Sequence, residues 1–148
     1  MRVKIVLADD HDAIRQALRS LLETEPDFEI VGEACHGSEA VQLVEQSQPD
    51  VVIMDISMPV INGIEATRRL NQSLPDVKVI AFSSHVAKPY VLGMFRAGAS
   101  GYVVKPSSKA ELRTAIRVVL KGQVHISQSL HVDLINEICT MDKEKHSE

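Results

Sequence analysis

An unbroken apolar run in this sequence ends in a single carboxylate. The run Val51–Met54 has no polar alternation, as in a strand that is covered on both faces, and Asp55 follows it directly. Burying a lone ionised carboxylate there would cost several kcal/mol. Asp55 therefore needs a compensating charge, and its chemistry depends on which groups lie beside it.

Other polar residues stand at the ends of similar runs. Three further segments of β-strand composition end in an acidic pair, a serine pair and a lysine: Asp9 and Asp10, Ser83 and Ser84, and Lys105. In an open parallel sheet the carboxyl ends of the strands share one edge, and ligands bind there beside a topological switch point. We expect all these side chains to meet in one small bowl.

Three carboxylates in one bowl require positive charge. Two carboxylates about 4 Å apart repel by about 4 kcal/mol at an effective dielectric of about 20. Lys105 supplies one charge, and we expect Mg²⁺ to supply more because it takes one or two carboxylates and keeps waters for phosphate oxygens. An Asp beside Mg²⁺ and a lysine can attack a phosphoryl group. We therefore interpret Asp55 as a phosphoryl acceptor, with Ser83 as a donor to the product.

An α/β scaffold is needed to position these residues. Strand-like and helix-like segments alternate in five β-α units, which predicts a doubly wound, flavodoxin-like parallel sheet of order 2-1-3-4-5 with five flanking helices. Asp12 is the predicted N-cap of the first helix. The predicted strands are 3–8, 28–34, 51–54, 77–82 and 101–104.

The last 25 or so residues differ from the rest. Leu130, Leu134, Ile135 and Ile138 form one more amphipathic stripe, and the residues from 141 onward are almost wholly polar. We predict a domain at 1–123, followed at 124–148 by an amphipathic helix or linker and a solvated polar tail.

Composition narrows the class of protein. The chain has 148 residues, of which 45% are hydrophobic and 24% charged, with a net charge of −4, so it has enough apolar content for a core and no strongly basic character for gripping nucleic acid. It contains no P-loop motif and no apolar stretch of membrane-spanning length, and its first apolar run, residues 3–8, is shorter than we expect for a signal peptide. The two cysteines lack metal-site spacing and are expected to be free thiols. We expect a cytoplasmic protein without membrane contact.

The residue pattern resembles the receiver domain of bacterial two-component response regulators, and within them the NarL/FixJ (LuxR-type) subgroup. The similarity spans roughly residues 1–123. The matching segments are LADDH at 7–11, VIMDISMP at 52–59, NGIEA at 62–66, VIAFS at 79–83 and AGASGYVVKP at 97–106.

This resemblance implies specific roles at the bowl. Asp55 would accept a phosphoryl group from a phosphohistidine of a sensor histidine kinase. Asp10, Asp55 and the main-chain carbonyl of Ser57 would hold Mg²⁺, with Asp9 assisting through water. The chain would catalyse its own phosphorylation and autodephosphorylation and would not be a turnover enzyme.

The resemblance also implies a switch. Lys105 would pair with the acidic cluster or the phosphoryl group, and its bond to Pro106 would be cis. Ser83 would move to the phosphoryl group and Tyr102 would turn inward behind it. The surface around the fourth helix, fifth strand and fifth helix would then change, and we expect homodimer formation on phosphorylation. The residues expected on this surface are Met94, Arg96, Arg113 and Arg117.

Members of this subgroup usually continue into a DNA-binding helix-turn-helix, and no such segment follows Gly122 in this sequence. We expect control of transcription through a C-terminal helix-turn-helix that is missing here; the alternative is a stand-alone regulator.

Two other functions remain as alternatives. A haloacid-dehalogenase-type phosphatase also uses an Asp nucleophile with Mg²⁺, but it needs a second Asp two residues later, where this chain has Ser57. A degenerate receiver would act as an interaction module without phosphorylation. The second alternative is weakened because every residue that phosphorylation requires is present.

Overall fold

The computed structural model describes residues 2–146, apart from the side chains of Val132 and residues 142–146, and its centre is one parallel sheet. The strands are β1 (Val3–Ala8), β2 (Phe28–Ala34), β3 (Val51–Met54), β4 (Lys78–Ser83), β5 (Gly101–Val104) and β6 (His125–Ile126). Their order is β2-β1-β3-β4-β5-β6, and all neighbours pair in parallel. The predicted order of the first five strands is confirmed.

Helices cover both faces of this sheet. They are α1 (Asp12–Glu23), α2 (Gly37–Ser47), α3 (Gly63–Ser73), α4 (Lys88–Ala97), α5 (Lys109–Leu120) and α6 (Val132–His146). Asn62 and Ser108 cap α3 and α5 by accepting the main-chain N–H groups of Glu65 and Glu111. None of the helices among residues 2–146 combines the length and the apolar character needed to cross a bilayer.

The predicted cap of α1 is wrong. His11 occupies the N-cap in an extended conformation, and Asp12 is the first helical residue. An acidic residue is also favourable there, because the N-terminal end of a helix carries a partial positive charge.

The expectation of five strands with five flanking helices is correct only in part, since residues 2–146 form six of each, the sixth helix lying in the segment predicted as an amphipathic helix or linker. After α5, Gly122 turns the chain with a φ of +80°, in the left-handed region that glycine favours. The chain then pairs with the outer edge of β5, with Gly101 opposite His125 and Tyr102 opposite Ile126. A strand of two residues is too short to show any periodicity in the sequence.

Side chains alternate between two cores along each strand. Ile5 and Leu7 of β1 pack against α1 and α5, whereas Val6 and Ala8 belong to the core under α2, α3 and α4. Met94 is fully buried in this second core, so its predicted place on the signalling surface is wrong.

The C-terminal helix α6 closes the second core beside α4. Leu134, Ile135 and Ile138 of the predicted stripe lie on α6, whereas Leu130 precedes the helix. Leu130, Leu134 and Ile138 are all buried. Lys88 of α4 also forms an ion pair with Glu137 of α6, with 3.0 Å between nitrogen and oxygen. The helix continues to His146, although residues 141–148 were predicted to be a solvated tail; Ser147 and Glu148 lie outside the described residues.

We predict that Ile138→Ala destabilises the protein by about 2–4 kcal/mol, because it removes most of a side chain that is only 1% exposed. Urea denaturation measures the free energy of unfolding. The control is Cys139→Ala at the next, exposed position, which should change it by less than about 0.5 kcal/mol. Equal stability of the two variants would show that α6 does not pack on the domain.

Candidate functional site

Adjacent strands bring three carboxylates together at one edge of the sheet. Asp9 and Asp10 follow β1, and Asp55 follows β3, which is the neighbour of β1. One oxygen of each carboxylate and one ring nitrogen of His11 lie within 4.8 Å of one another. The His11 Nδ1 atom lies 2.9 Å from Asp9 Oδ1 and 3.0 Å from Asp10 Oδ1, and a hydrogen bond with Asp9 is the main cause of the raised pKa of His11.

Lys105 reaches this cluster from the end of β5. Its Nζ atom lies 2.9 Å from Asp9 Oδ2 and 3.5 Å from Asp55 Oδ1. The ammonium also lies 5.2 Å from the ring centroid of Phe82, and the lysine side chain is only 15% exposed. The peptide bond between Lys105 and Pro106 is cis, as the resemblance implied.

Asp55 is buried in a charged environment. The residue is 5% exposed, and its carboxylate accepts a hydrogen bond from the main-chain N–H of Ile56 at 2.9 Å. Burial and the charge of Asp9 raise the pKa of Asp55, while Lys105 opposes the shift. The positive charge of one lysine therefore does not fully offset the negative charge of the carboxylate cluster.

The three carboxylates of this cluster fit Mg²⁺, because they supply oxygen ligands and carry more negative charge than the one lysine offsets. Asp10 is the most exposed of the three carboxylates and offers access from solvent. Ser57 lies two residues after Asp55 at the same edge, and the role of its main-chain carbonyl as a ligand stays a prediction.

The two predicted switch residues are both bonded to the main chain of His85. The hydroxyl of Ser83, which is buried, accepts from His85 N–H at 3.1 Å. The hydroxyl of Tyr102, which is also buried, donates to His85 O at 2.8 Å. Tyr102 therefore lies in the inward position in this structure, and the movement predicted for it stays a prediction.

The ring of His85 joins two loops at the mouth of the site. Its Nε2 atom lies 2.8 Å from the Ser57 hydroxyl, and its ring stacks on Tyr90 with 4.2 Å between centroids. The structure places it between the loop after β3 and the loop after β4.

Gly63 is a supporting residue that the sequence analysis missed. A Cβ atom there would lie 2.0 Å from the main-chain oxygen of Asp55, so only glycine permits α3 to approach so closely. Its N–H donates to Ile56 O at 2.8 Å. The available signal was the Asn62-Gly63 pair within the matching segment at 62–66, to which no role was assigned.

Comparison with known proteins agrees with this geometry. The family model for the response regulator receiver domain matches residues 5–117. The transcriptional regulatory protein DegU of Brevibacillus brevis is 41% identical over 147 residues, which cover 99% of this chain and 62% of DegU. LiaR of Bacillus subtilis, also a transcriptional regulatory protein, is 40% identical over 121 residues, covering 82% of this chain and 57% of LiaR. A solved LuxR-family response regulator from Aurantimonas sp. SI85-9A1 superposes with a TM-score of 0.83 at 37% identity and full coverage of both chains.

The chain therefore belongs to the response regulator receiver family of two-component systems. The resemblance to NarL/FixJ-type regulators found in the sequence is confirmed. The chain spans 62% and 57% of the lengths of DegU and LiaR.

We predict that Tyr102 ionises only at very high pH in the folded protein, because burial raises its pKa from 10.0 to about 12. Between these two values the folded state binds the phenolic proton more tightly than the unfolded state does. The free energy of unfolding therefore falls as pH rises from 10 to about 12.

Absorbance at the tyrosinate band, with circular dichroism as a check that the protein is folded, measures this titration. Tyr102→Phe should remove the highest step of the curve. The prediction fails if the folded wild-type protein completes its tyrosine titration near pH 10.

Proposed function

We propose that this receiver accepts a phosphoryl group on Asp55 from the phosphohistidine of a sensor histidine kinase, in a reaction that depends on Mg²⁺. The observation that supports this most strongly is the placement of the buried Asp55 carboxylate next to Lys105, Asp9 and Asp10 at one edge of the sheet. A carboxylate so placed lies at the strand end and faces fixed positive charge.

In the proposed transfer, a carboxylate oxygen of Asp55 attacks the phosphorus atom. A new P–O bond forms while the P–N bond to the kinase histidine breaks, and the imidazole leaves with the bonding electron pair and takes up a proton. Lys105, held by Asp9 at 2.9 Å, neutralises charge on the phosphoryl oxygens. Asp10, Asp55 and the Ser57 carbonyl would hold Mg²⁺, with Asp9 assisting through water, and the ion would supply further positive charge to those oxygens.

We propose that the phosphoryl group is removed from Asp55 by hydrolysis at the same site. A water oxygen attacks phosphorus, the P–O bond to Asp55 breaks, and the carboxylate is restored together with inorganic phosphate. The chain is thus an acceptor that resets itself, and we propose no turnover of external substrates. The position two residues after Asp55 is Ser57, which lacks the carboxylate that a phosphatase of the haloacid-dehalogenase type would use as acid and base.

The proposed output begins at Ser83. Phosphorylation adds about −1.5 to −2 charges at the bowl. The Ser83 hydroxyl, which accepts a hydrogen bond from His85 N–H in this structure, would donate to a phosphoryl oxygen. The hydroxyl of Tyr102 donates to the main-chain oxygen of the same His85. A local charge change is thereby connected to the loop before α4.

The wider role is inferred from the relatives. DegU and LiaR are transcriptional regulatory proteins, and this chain matches about three fifths of their length. We propose that phosphorylation favours a homodimer and controls transcription through a DNA-binding helix-turn-helix outside this sequence. The cytoplasmic location expected from the sequence belongs to the same proposal.

We predict that Asp55→Asn keeps the fold and loses phosphorylation by acetyl phosphate, since the amide oxygen cannot act as the nucleophile. Intact-mass measurement detects the phosphoryl adduct, and thermal unfolding reports the fold. Asp76→Asn, in the exposed turn before β4, is the matched control and should be phosphorylated at the wild-type rate.

An undiminished adduct on the Asp55 variant would refute the assignment. A wild-type protein that forms no adduct and shows no spectral response to beryllofluoride with Mg²⁺ would instead favour the degenerate receiver acting as an interaction module.

A further inference from the structure

A buried serine outside the family-matched residues bonds to the segment that carries Lys105. The match to the receiver family ends at residue 117, whereas Ser127 lies beyond it, directly after β6. Ser127 is only 2% exposed and is one of the few buried polar residues of the described chain. A buried hydroxyl is costly unless its hydrogen bonds are made, so its partners indicate what it does.

Three of the hydrogen bonds of Ser127 go to the receiver, and a fourth joins its main-chain oxygen to the N–H of Leu130 at 3.2 Å. The main-chain N–H of Ser127 donates to Tyr102 O at 2.9 Å. Its hydroxyl accepts from the main-chain N–H of Val104 at 3.0 Å and donates to the carboxylate of Glu111 at 2.6 Å. The same Glu111 oxygen lies 3.1 Å from Nε2 of His125, which holds the carboxylate in place.

These partners lie on both sides of Lys105 in the chain. Val104 is the residue before Lys105 and the last residue of β5, while Glu111 is in the first turn of α5. On the opposite side of the strand, Lys105 N–H donates to Ser83 O at 2.9 Å. The short strand β6 ends before it can pair with Val104, and the Ser127 hydroxyl replaces the missing main-chain acceptor.

We propose that Ser127 is a positioning residue for phosphoryl transfer: by fixing Val104 and Glu111, it holds Lys105 at its place beside Asp9 and Asp55. This inference rests on the proposed function of Asp55. It means that a segment outside the matched receiver residues completes the phosphorylation site. The Lys105 ammonium is 3.5 Å from Asp55, and a displacement of about 1 Å of a positioned group is enough to slow a reaction by up to about 100-fold.

The first test compares rates of Asp55 phosphorylation by acetyl phosphate with Mg²⁺ in the full chain. Ser127→Ala should be about tenfold slower than wild type, because the N–H of Val104 and the Glu111 carboxylate lose their shared partner. Ser127→Thr keeps a hydroxyl and should recover most of the rate. Ser129→Ala, an exposed serine in the same segment, is the matched control and should be unchanged.

A double-mutant cycle separates positioning from general destabilisation. If Ser127 acts through Lys105, then Ser127→Ala should slow a Lys105→Met protein by less than about twofold. A purely structural effect would slow both backgrounds equally, and that result would overturn the proposal. So would a Ser127→Ala protein that is phosphorylated at the wild-type rate.

Hydrogen exchange on the wild-type protein tests the proposal without depending on whether any variant folds. Coupling between two sites is reciprocal. If the Ser127 contacts favour binding of a phosphoryl-like group at Asp55, then binding of that group must stabilise the Ser127 contacts. Adding Mg²⁺ and beryllofluoride should slow exchange of the Val104 and Ser127 amides by at least about threefold. Unchanged exchange at both amides while beryllofluoride binds would overturn the proposal, whereas phosphorylation of Asp55→Asn would instead overturn the proposed function.

Discussion

The burial of one ionisable carboxylate is the constraint on which this structure depends. Asp55 ends a strand that is covered on both faces, and both burial and the neighbouring Asp9 oppose its charge. The strand order places β1, which carries Asp9 and Asp10, beside β3. It also leaves Lys105, at the end of β5, close enough to contact the carboxylates. The lysine crosses the end of β4, where its ammonium lies 5.2 Å from the Phe82 ring, and arrives at Asp9 and Asp55. A site that is short of positive charge is suited to a phosphoryl group only when a further cation accompanies it.

The same site is connected to the rest of the domain through main-chain groups of one residue. His85 donates to Ser83 and accepts from Tyr102, and its ring reaches Ser57 and Tyr90. Tyr102 in turn accepts from Ser127, whose segment leads into α6. Hydrogen bonds therefore connect Ser83 through His85 and Tyr102 to Ser127, which lies shortly before the C-terminal helix.

Much of this arrangement could be predicted from local sequence patterns. Strand periodicity and the polar residue at each strand end indicate which side chains share an edge, and the structure does bring Asp9, Asp10, Asp55 and Lys105 together. The two-residue strand β6 has no period to detect, so the sixth strand was missed. The bonds of Ser127 join residues 16 and 23 positions apart and leave no local signal, and the need for Gly63 arises from a contact with the main chain of Asp55. Burial of Met94 depends on how α4 meets the second core, which its own spacing does not reveal.

The most direct test of the central claim is a calorimetric titration of the full chain with beryllofluoride, with and without Mg²⁺. The account predicts one beryllofluoride bound per chain when Mg²⁺ is present and no binding when the divalent cation is removed by a chelator. Beryllofluoride binding of equal affinity in both conditions would contradict it, because the carboxylate cluster would then accept a phosphoryl-like group without the additional positive charge.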